Sequence, residues 1–447
     1  MEQNIQEELQ LEAESITPWV QWLRGVAPYI HALRDKTIVV GVAGEMIANG
    51  QLTKFIYDLS MLSAIGAKIV LCYGVRPQVE ELINLKGIHS EFVNGLRITE
   101  TDILSCVKEA AGEVRLDIEA AFSTGLPNTP MAHSQCRVIS GNFVIARPLG
   151  IINGTDYKHT GVVRKVDAEA ISHQLNNHSI VVVAPLGFSP TGEAFNLAME
   201  DVASSISGAL KADKFVLLGN VDGVRRFGEV VSELTSDQAK ELMDNKLVDD
   251  EDIYNLGYAL KALHRGVKRV HILPYFLDGG ILAELLTHEG VGTMVTEENM
   301  ACIRDATIDD VTALIHLLEP LEEDGTLVKR PREKLEREIN CYTLLEHDGI
   351  IYGSAALYPF SSEKIGEMGA LVVNALHQGS GEGERLLHHI EKKARSMGLT
   401  KLFVLTTRTA HWFLKRGFKP ATLEDLPIAK RKLYNWQRRS QIFIKDL

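Results

Sequence analysis

Two periods of apolar and polar residues share this chain. Short unbroken apolar runs occur at 36–44 (KTIVVGVAG), 67–74 (AKIVLCYG), 179–187 (SIVVVAPLG), 214–221 (KFVLLGNV) and 269–275 (RVHILPY). Runs of this length, rich in Val, Ile and Leu and bounded by Gly or Pro, predict strands covered on both faces, as in a parallel sheet. Helical segments stand between them; LTKFIYDLSMLSAIG at 52–66 is one. Strands and helices in alternation predict an open α/β domain with a mostly parallel sheet sandwiched by helices, ending near Glu297. Ahead of it, 18–34 (PWVQWLRGVAPYIHALR) predicts an amphipathic helix interrupted at Pro28, and the polar residues 1–17 predict a flexible start. A second α/β unit begins with CIRDATIDDVTALIHLL at 302–318. The expected division is therefore 1–17, 18–297 and 298–447.

The densest pattern lies in the second unit. An apolar strand, GALVV at 369–373, precedes HQGSGEGERLLHHIEKKARSMG at 377–398. Gln378, Gly381 and Gly383 fall in the spacing Q-x-x-G-x-G, and Leu386, Leu387, Ile390, Ala394 and Met397 put one apolar stripe on the following helix. A strand, a glycine turn and a helix N-terminus form an anion site, because unpaired N–H groups and the helix dipole point the same way. On their own the glycines also fit an ordinary turn.

Charge and cysteine content narrow the function classes. Net charge is −12, which disfavours nucleic acid or an anionic membrane as the main partner. Five scattered cysteines without C-x-x-C pairs read as reduced thiols of a cytoplasmic protein, with no metal site. The acidic start carries no targeting pattern, and no apolar run approaches the ~20 residues that span a membrane. Two basic clusters, 327–339 (LVKRPREKLEREI) and 429–444 (AKRKLYNWQRRSQIFI), stand out in the acidic chain; charge alone fits a solvated face as well as a site.

The loop at 378–383, the next strand at 401–407 (KLFVLTT) and 411–418 (HWFLKRGF) resemble the GNAT acetyltransferase superfamily. That resemblance implies acetyl-CoA as cosubstrate. It places the pyrophosphate on Gln378, Gly379, Ser380, Gly381, Glu382 and Gly383, and the thioester beside the backbone of Ala370, Leu371, Val372 and Val373. It also implies Glu367 as general base and Thr406 near the leaving sulfur. Trp412 and Phe413 stand where many members carry an acidic tyrosine, so any general acid comes from elsewhere.

Residues 20–297 resemble the amino acid kinase family, acetylglutamate kinase in particular, through 94–112 (NGLRITETDILSCVKEAAG), 192–224 (GEAFNLAMEDVASSISGALKADKFVLLGNVDGV) and 284–295 (ELLTHEGVGTMV). The kinase residues themselves are missing. The family's K-x-G-G is Gly41-Val42-Ala43-Gly44 here, its H-G-G-G-P is Tyr73-Gly74-Val75-Arg76-Pro77, and Glu200 replaces its organising aspartate. Phosphoryl transfer is mostly positioning and charge stabilisation, so these losses should abolish it. Lys261 occupies a second lysine position that cannot compensate alone.

A kinase-like domain without kinase residues, followed by a GNAT domain, resembles the bacterial N-acetylglutamate synthase family. The resemblance implies transfer from acetyl-CoA to L-glutamate in arginine biosynthesis, in a cytoplasmic homo-oligomer, a hexamer in related kinases. It implies substrate carboxylates on Arg330 and Arg438, with Lys430 and Ser440 assisting. It also implies feedback inhibition by L-arginine bound at Tyr29, His271, Glu284, Gly290 and Gly292, where backbone carbonyls around the two glycines would accept guanidinium N–H groups. Two other functions stay open: acetylation of another amine such as a protein lysine, and a non-catalytic arginine sensor.

Overall fold

The computed structural model describes residues 20, 22–93, 95–134, 136–287, 290–297, 301–347, 349–374, 381–432, 434, 438 and 440–447. The expected flexible segment 1–17 and the loop residues Gln378, Gly379 and Ser380 lie outside them. The chain forms two compact units, Met1–Glu298 and Asn299–Leu447.

The first unit is built on an eight-stranded sheet. In chain order its strands are β1 (Thr37–Val42), β2 (Lys68–Tyr73), β3 (Arg137–Ser140), β4 (Ser179–Val183), β5 (Lys214–Gly219), β6 (Glu233–Thr235), β7 (Arg269–Pro274) and β8 (Thr293–Thr296), in the spatial order β6-β8-β7-β5-β1-β2-β4-β3. Every neighbouring pair is parallel except β7 with β8. Alternate residues enter two separate cores. Ile38, Val40 and Val42 pack with the helices Leu52–Ala64 and Thr101–Phe122, whereas Val39 packs with Met199–Leu210 and Asp250–Leu263. Two covered faces explain why these strands read as continuous apolar runs. A four-stranded sheet from 144–148, 161–166, 186–188 and 194–196 lies beside this layer. Residues 22–33 form one helix that runs through Pro28, contrary to the expected interruption. Its exposed side carries Trp22 and Leu23, while Val26 and Leu33 are buried.

The second unit has seven strands: β9 (Ala301–Asp305), β10 (Tyr342–His347), β11 (Ile350–Phe360), β12 (Ile365–Val373), β13 (Lys401–Thr406), β14 (Lys419–Ala421) and β15 (Gln441–Asp446). Their spatial order is β9-β10-β11-β12-β13-β15-β14, and only β12 and β13 run parallel. The helices α1 (Val311–Glu323) and α2 (Glu382–Ser396) pack on separate apolar clusters of the sheet. On α2, Leu386, Leu387, Ile390 and Ala394 are buried, each Leu or Ile contributing roughly 1.5–3 kcal/mol. Met397, expected on the same stripe, caps the helix end and is 49% exposed, because the helix stops one residue short of it. Among the described residues no helix is long and apolar enough to cross a membrane.

Candidate functional site

The site in the second unit starts from a fault in β12. Ser354 pairs with Val372 and Ala356 with Gly369, so Ala355 alone opposes Ala370 and Leu371. This is a β-bulge, and Ala370 takes φ +47°, a left-handed conformation that costs an alanine about 1 kcal/mol. The buried Ser354 hydroxyl secures it by donating to the Ala370 carbonyl at 3.0 Å. The extra residue shifts the alternation of side chains. Met368, Leu371 and Val373 pack in the cluster with α2, whereas Ala370 and Val372 pack in the cluster with α1.

β12 also parts from β13 here. Their parallel register covers only Ile365–Glu367 against Lys401–Phe403. Beyond Glu367 this register does not continue and the two strands splay. Thr406 ends β13 across the splay. Its buried hydroxyl lies 2.8 Å from the Thr409 hydroxyl and accepts the Thr409 N–H at 3.1 Å.

α2 opens at Gly381, whose φ of +90° is the left-handed region that favours glycine. Its N-cap is a glycine and supplies no side-chain cap, and first-turn N–H groups of a helix have no intrahelical partner, which suits an anion. The two glycines serve different ends. A Cβ at Gly381 would meet no protein atom within 4 Å, whereas one at Gly383 would come 3.3 Å from the Trp412 indole. Glu382, expected against the cofactor, accepts from Tyr352 Oη at 3.3 Å and from Arg385 at 2.8 and 2.9 Å.

The two arginines expected to bind carboxylates gather around the end of α1. Arg330 Nη1 lies 3.7 Å from Glu322 and donates to the Val328 carbonyl at 2.9 Å. Arg438 Nη2 donates to the carbonyls of Gly325 and Thr326. Burial, then the like charge of Arg330, pulls the Arg438 guanidinium below its ordinary range. Two guanidinium groups thus face one region, where a dicarboxylate would relieve their repulsion. Ser440 stands just before β15 and its carbonyl accepts the Tyr434 hydroxyl at 2.7 Å.

Lys430 is expected to assist at the substrate carboxylates. Its ammonium lies on Glu367, 2.6 and 2.7 Å from the two carboxylate oxygens. The cause is local: the short helix Ile428–Arg431 follows Leu426, which is buried against Ile365, Phe403 and Ile442. Tyr358 had no role in the sequence-based expectations. It stands opposite Glu367 in the β11–β12 register and donates to the Tyr342 hydroxyl at 3.2 Å. Burial pushes its phenol well up. Its signal was only an ordinary alternating strand.

In the first unit, His271, Glu284, Gly290 and Gly292 converge. His271 Nδ1 is 2.6 Å from Glu284 Oε1, and the N–H groups of Val291 and Gly292 donate to Oε2 at 2.7 and 3.3 Å. The N–H groups of Val291 and Gly292 thus neutralise a buried carboxylate. Burial and the Lys214 charge hold His271 below its usual range, and its buried Nε2 has no partner among the described residues. Both facts fit a neutral ring donating through Nδ1. Burial raises Glu284, but the His271 and backbone donors outweigh it and hold the carboxyl below its usual range. Tyr29 lies half-buried on helix 22–33.

The kinase cleft survives as a cavity of about 890 Å³ lined by Gly44, Gly74, Arg76, Glu200, Tyr254 and Tyr258. A Cβ at Gly41 would fall 2.7 Å from Met199 Sδ, so the place of the missing lysine is filled. Lys261 is paired with Asp201. Glu200 accepts from Tyr254 at 3.3 Å, and burial pushes its carboxyl up. None of this suits phosphoryl transfer.

Comparison with known proteins agrees with both units. Residues 36–274 match the amino acid kinase family and 311–418 the acetyltransferase (GNAT) family. An amino-acid acetyltransferase of Ralstonia nicotianae is 54% identical over 430 residues, 96% of this chain and 95% of the relative. The chain belongs to the amino-acid acetyltransferase family. The Azotobacter vinelandii member is 46% identical over 96% of this chain and 99% of its own. Among solved structures of the family's fold, N-acetylglutamate synthase from Neisseria gonorrhoeae, complexed with coenzyme A and L-arginine, is 38% identical with a TM-score of 0.86. It covers 96% of this chain and 99% of that one. The same enzyme with coenzyme A and N-acetyl-glutamate gives 39% and 0.61 over the same shares. The resemblance read from the two motif sets is therefore borne out, and the chain is an acyltransferase.

Proposed function

We propose that this acetyltransferase moves the acetyl group of acetyl-CoA to the α-amine of L-glutamate, giving N-acetyl-L-glutamate and CoA, and that L-arginine inhibits it through the kinase-like unit. The observation that carries this is one bulged, splayed strand bearing Glu367, in a unit where Arg330 and Arg438 both reach carbonyls of the 325–328 segment. Two guanidinium groups fit a substrate with two carboxylates and disfavour a protein lysine.

The residues then take these roles. Arg330 and Arg438 hold the substrate carboxylates, with Lys430 and Ser440 nearby. The α-amine is mostly protonated at neutral pH, its pKa near ~8, so Glu367 removes a proton before attack. Backbone N–H groups of Ala370–Val373 polarise the thioester carbonyl. The C–S bond breaks to a thiolate that the Thr406 hydroxyl can hydrogen-bond; with a thiol pKa near ~8.5, it needs no strong acid. Gln378, Gly379, Ser380, Gly381, Glu382 and Gly383 cradle the pyrophosphate at the start of α2. Arginine binds at Glu284, His271, Gly290, Gly292 and Tyr29. A cytoplasmic biosynthetic role in an oligomer, a hexamer, suits a chain whose helix 22–33 exposes Trp22 and Leu23.

The deciding experiment follows CoA release from acetyl-CoA with L-glutamate, with and without L-arginine. Release that needs L-glutamate and falls with arginine supports the proposal. Equal release with unrelated amines, or no response to arginine, overturns the corresponding half.

A further inference from the structure

Glu367 is proposed above as a base, yet without substrate it is not available as one. Both of its oxygens face the single ammonium of Lys430, and the pair is mostly shielded, with 13% and 24% of the two side chains exposed. The helix bearing Lys430 is fixed at its base by Leu426 in the core and by the Ile428 N–H, which donates to Glu363 at 3.3 Å. The lysine itself is a point charge on a flexible four-carbon stem, which can turn without moving that helix.

L-Glutamate brings one ammonium and two carboxylates. Its ammonium can replace Lys430 on Glu367 while a carboxylate takes Lys430, so no buried charge is left unpaired at any stage. We propose that Lys430 is a positioning residue that acts as a substrate-released latch on Glu367. The latch keeps the base covered until an acidic amino acid exchanges with it. It thereby links selection of an acidic substrate to protection of acetyl-CoA from water. This rests on Glu367 being the base.

An uncovered Glu367 would hydrolyse acetyl-CoA. A water molecule adds to the thioester carbonyl carbon as Glu367 takes its proton. The C–S bond then breaks, and the thiolate receives that proton, giving acetic acid and the CoA thiol. The wild-type protein should therefore release almost no acetate and CoA from acetyl-CoA without an amino acid.

The test quantifies both products by chromatography in that condition. Lys430→Met should raise hydrolysis at least fivefold. Lys430→Arg, which keeps a cation on Glu367, should stay near the wild-type level. Lys430→Met combined with Glu367→Gln should return to it. The proposal is overturned if Lys430→Met, folded by circular dichroism and binding coenzyme A by calorimetry, hydrolyses acetyl-CoA no faster than wild type.

Should Lys430→Met fail to fold, glutarate added to the wild-type protein replaces it. Glutarate has the two carboxylates and no amine. A several-fold rise in hydrolysis supports the latch, and no rise at concentrations that compete with L-glutamate overturns it. Failure of the base assignment reads differently. In that case Glu367→Gln alone keeps synthase turnover, whereas a failed latch leaves Glu367→Gln inactive and Lys430→Met tight to water.

Discussion

Glu367 and His271 show how neighbours decide what a side chain can do. A base acts on the barrier and less on ground-state binding, so Glu367→Gln should lower kcat by about 100-fold or more while the KM for L-glutamate and for acetyl-CoA changes little. Steady-state kinetics across pH 7–9 checks this, and wild-type turnover in the variant would remove the assignment. For His271 the consequence is pH dependence of stability. Burial and Lys214 lower its folded pKa below the ordinary 6.5. The unfolded chain therefore binds this proton first as pH falls, and the His271 contribution, complete above about 6.5, is lost below it. Glu284 is lowered from 4.5, so its contribution is complete above that value and lost further down. Each group gives a slope of at most about 1.4 kcal/mol per pH unit. His271→Asn, which keeps a donor toward Glu284, should lose thermal stability less steeply than wild type between pH 7 and 5, measured by calorimetry. Equal slopes would mean that His271 carries no such linkage. None of this could be read from sequence, because burial and partners, not residue type, set these properties.

Elements place these groups, and their patterns were largely legible. The strand–glycine–helix unit around α2 was visible because apolar periodicity and glycine spacing are local signals. The bulge at Ala370 was not, since it is held by Ser354 from the neighbouring strand. The glycines also proved unlike each other: Gly381 needs its backbone angle, and Gly383 needs room under Trp412. Gly381→Val places a β-branched side chain at φ +90°. It should cost about 1–2 kcal/mol of stability, keep the fold, and raise the KM for acetyl-CoA at least tenfold with a smaller change in kcat. Thermal melts and acetyl-CoA saturation curves measure both; an unchanged KM in the folded variant would move the pyrophosphate elsewhere. On the kinase side, no ATP-dependent phosphorylation of N-acetylglutamate should be detectable. Gly41→Lys should not restore it, because Met199 already fills the space the lysine needs. Product formation above background in either protein would contradict this.

At the scale of the whole molecule, two units built for different chemistries share one chain, and the proposed arginine regulation would have to pass between them. Arginine can inhibit a separate unit only by binding more tightly to a less active state. In the proposed site its guanidinium would capture a Glu284 carboxylate that His271, Val291 and Gly292 occupy. Glu284→Ala should keep synthase activity and weaken arginine inhibition by ~30-fold or more, the equivalent of losing about 2 kcal/mol from a buried charged pair. Arginine titrations of both proteins decide it, and wild-type inhibition in the variant would place the effector elsewhere. By the same linkage, whatever factor L-arginine changes in L-glutamate affinity, L-glutamate must change in L-arginine affinity, which calorimetry of each in the presence of the other can test.

Periodicity, turn residues and motif spacing are properties of neighbours along the chain. For that reason the sequence by itself determined that there are two α/β folds, that one has a parallel sheet covered on both faces, and that the other carries a glycine turn leading into an amphipathic helix. It also showed that the kinase lysine and glycine cradle are gone. Tertiary structure alone decided the rest. It put Lys430 on Glu367 across 63 residues, closed Glu284 against His271, turned the 290–292 N–H groups inward and filled the missing lysine's place with Met199. Those contacts depend on which distant segments the core brings together, and no local pattern encodes a partner that far away.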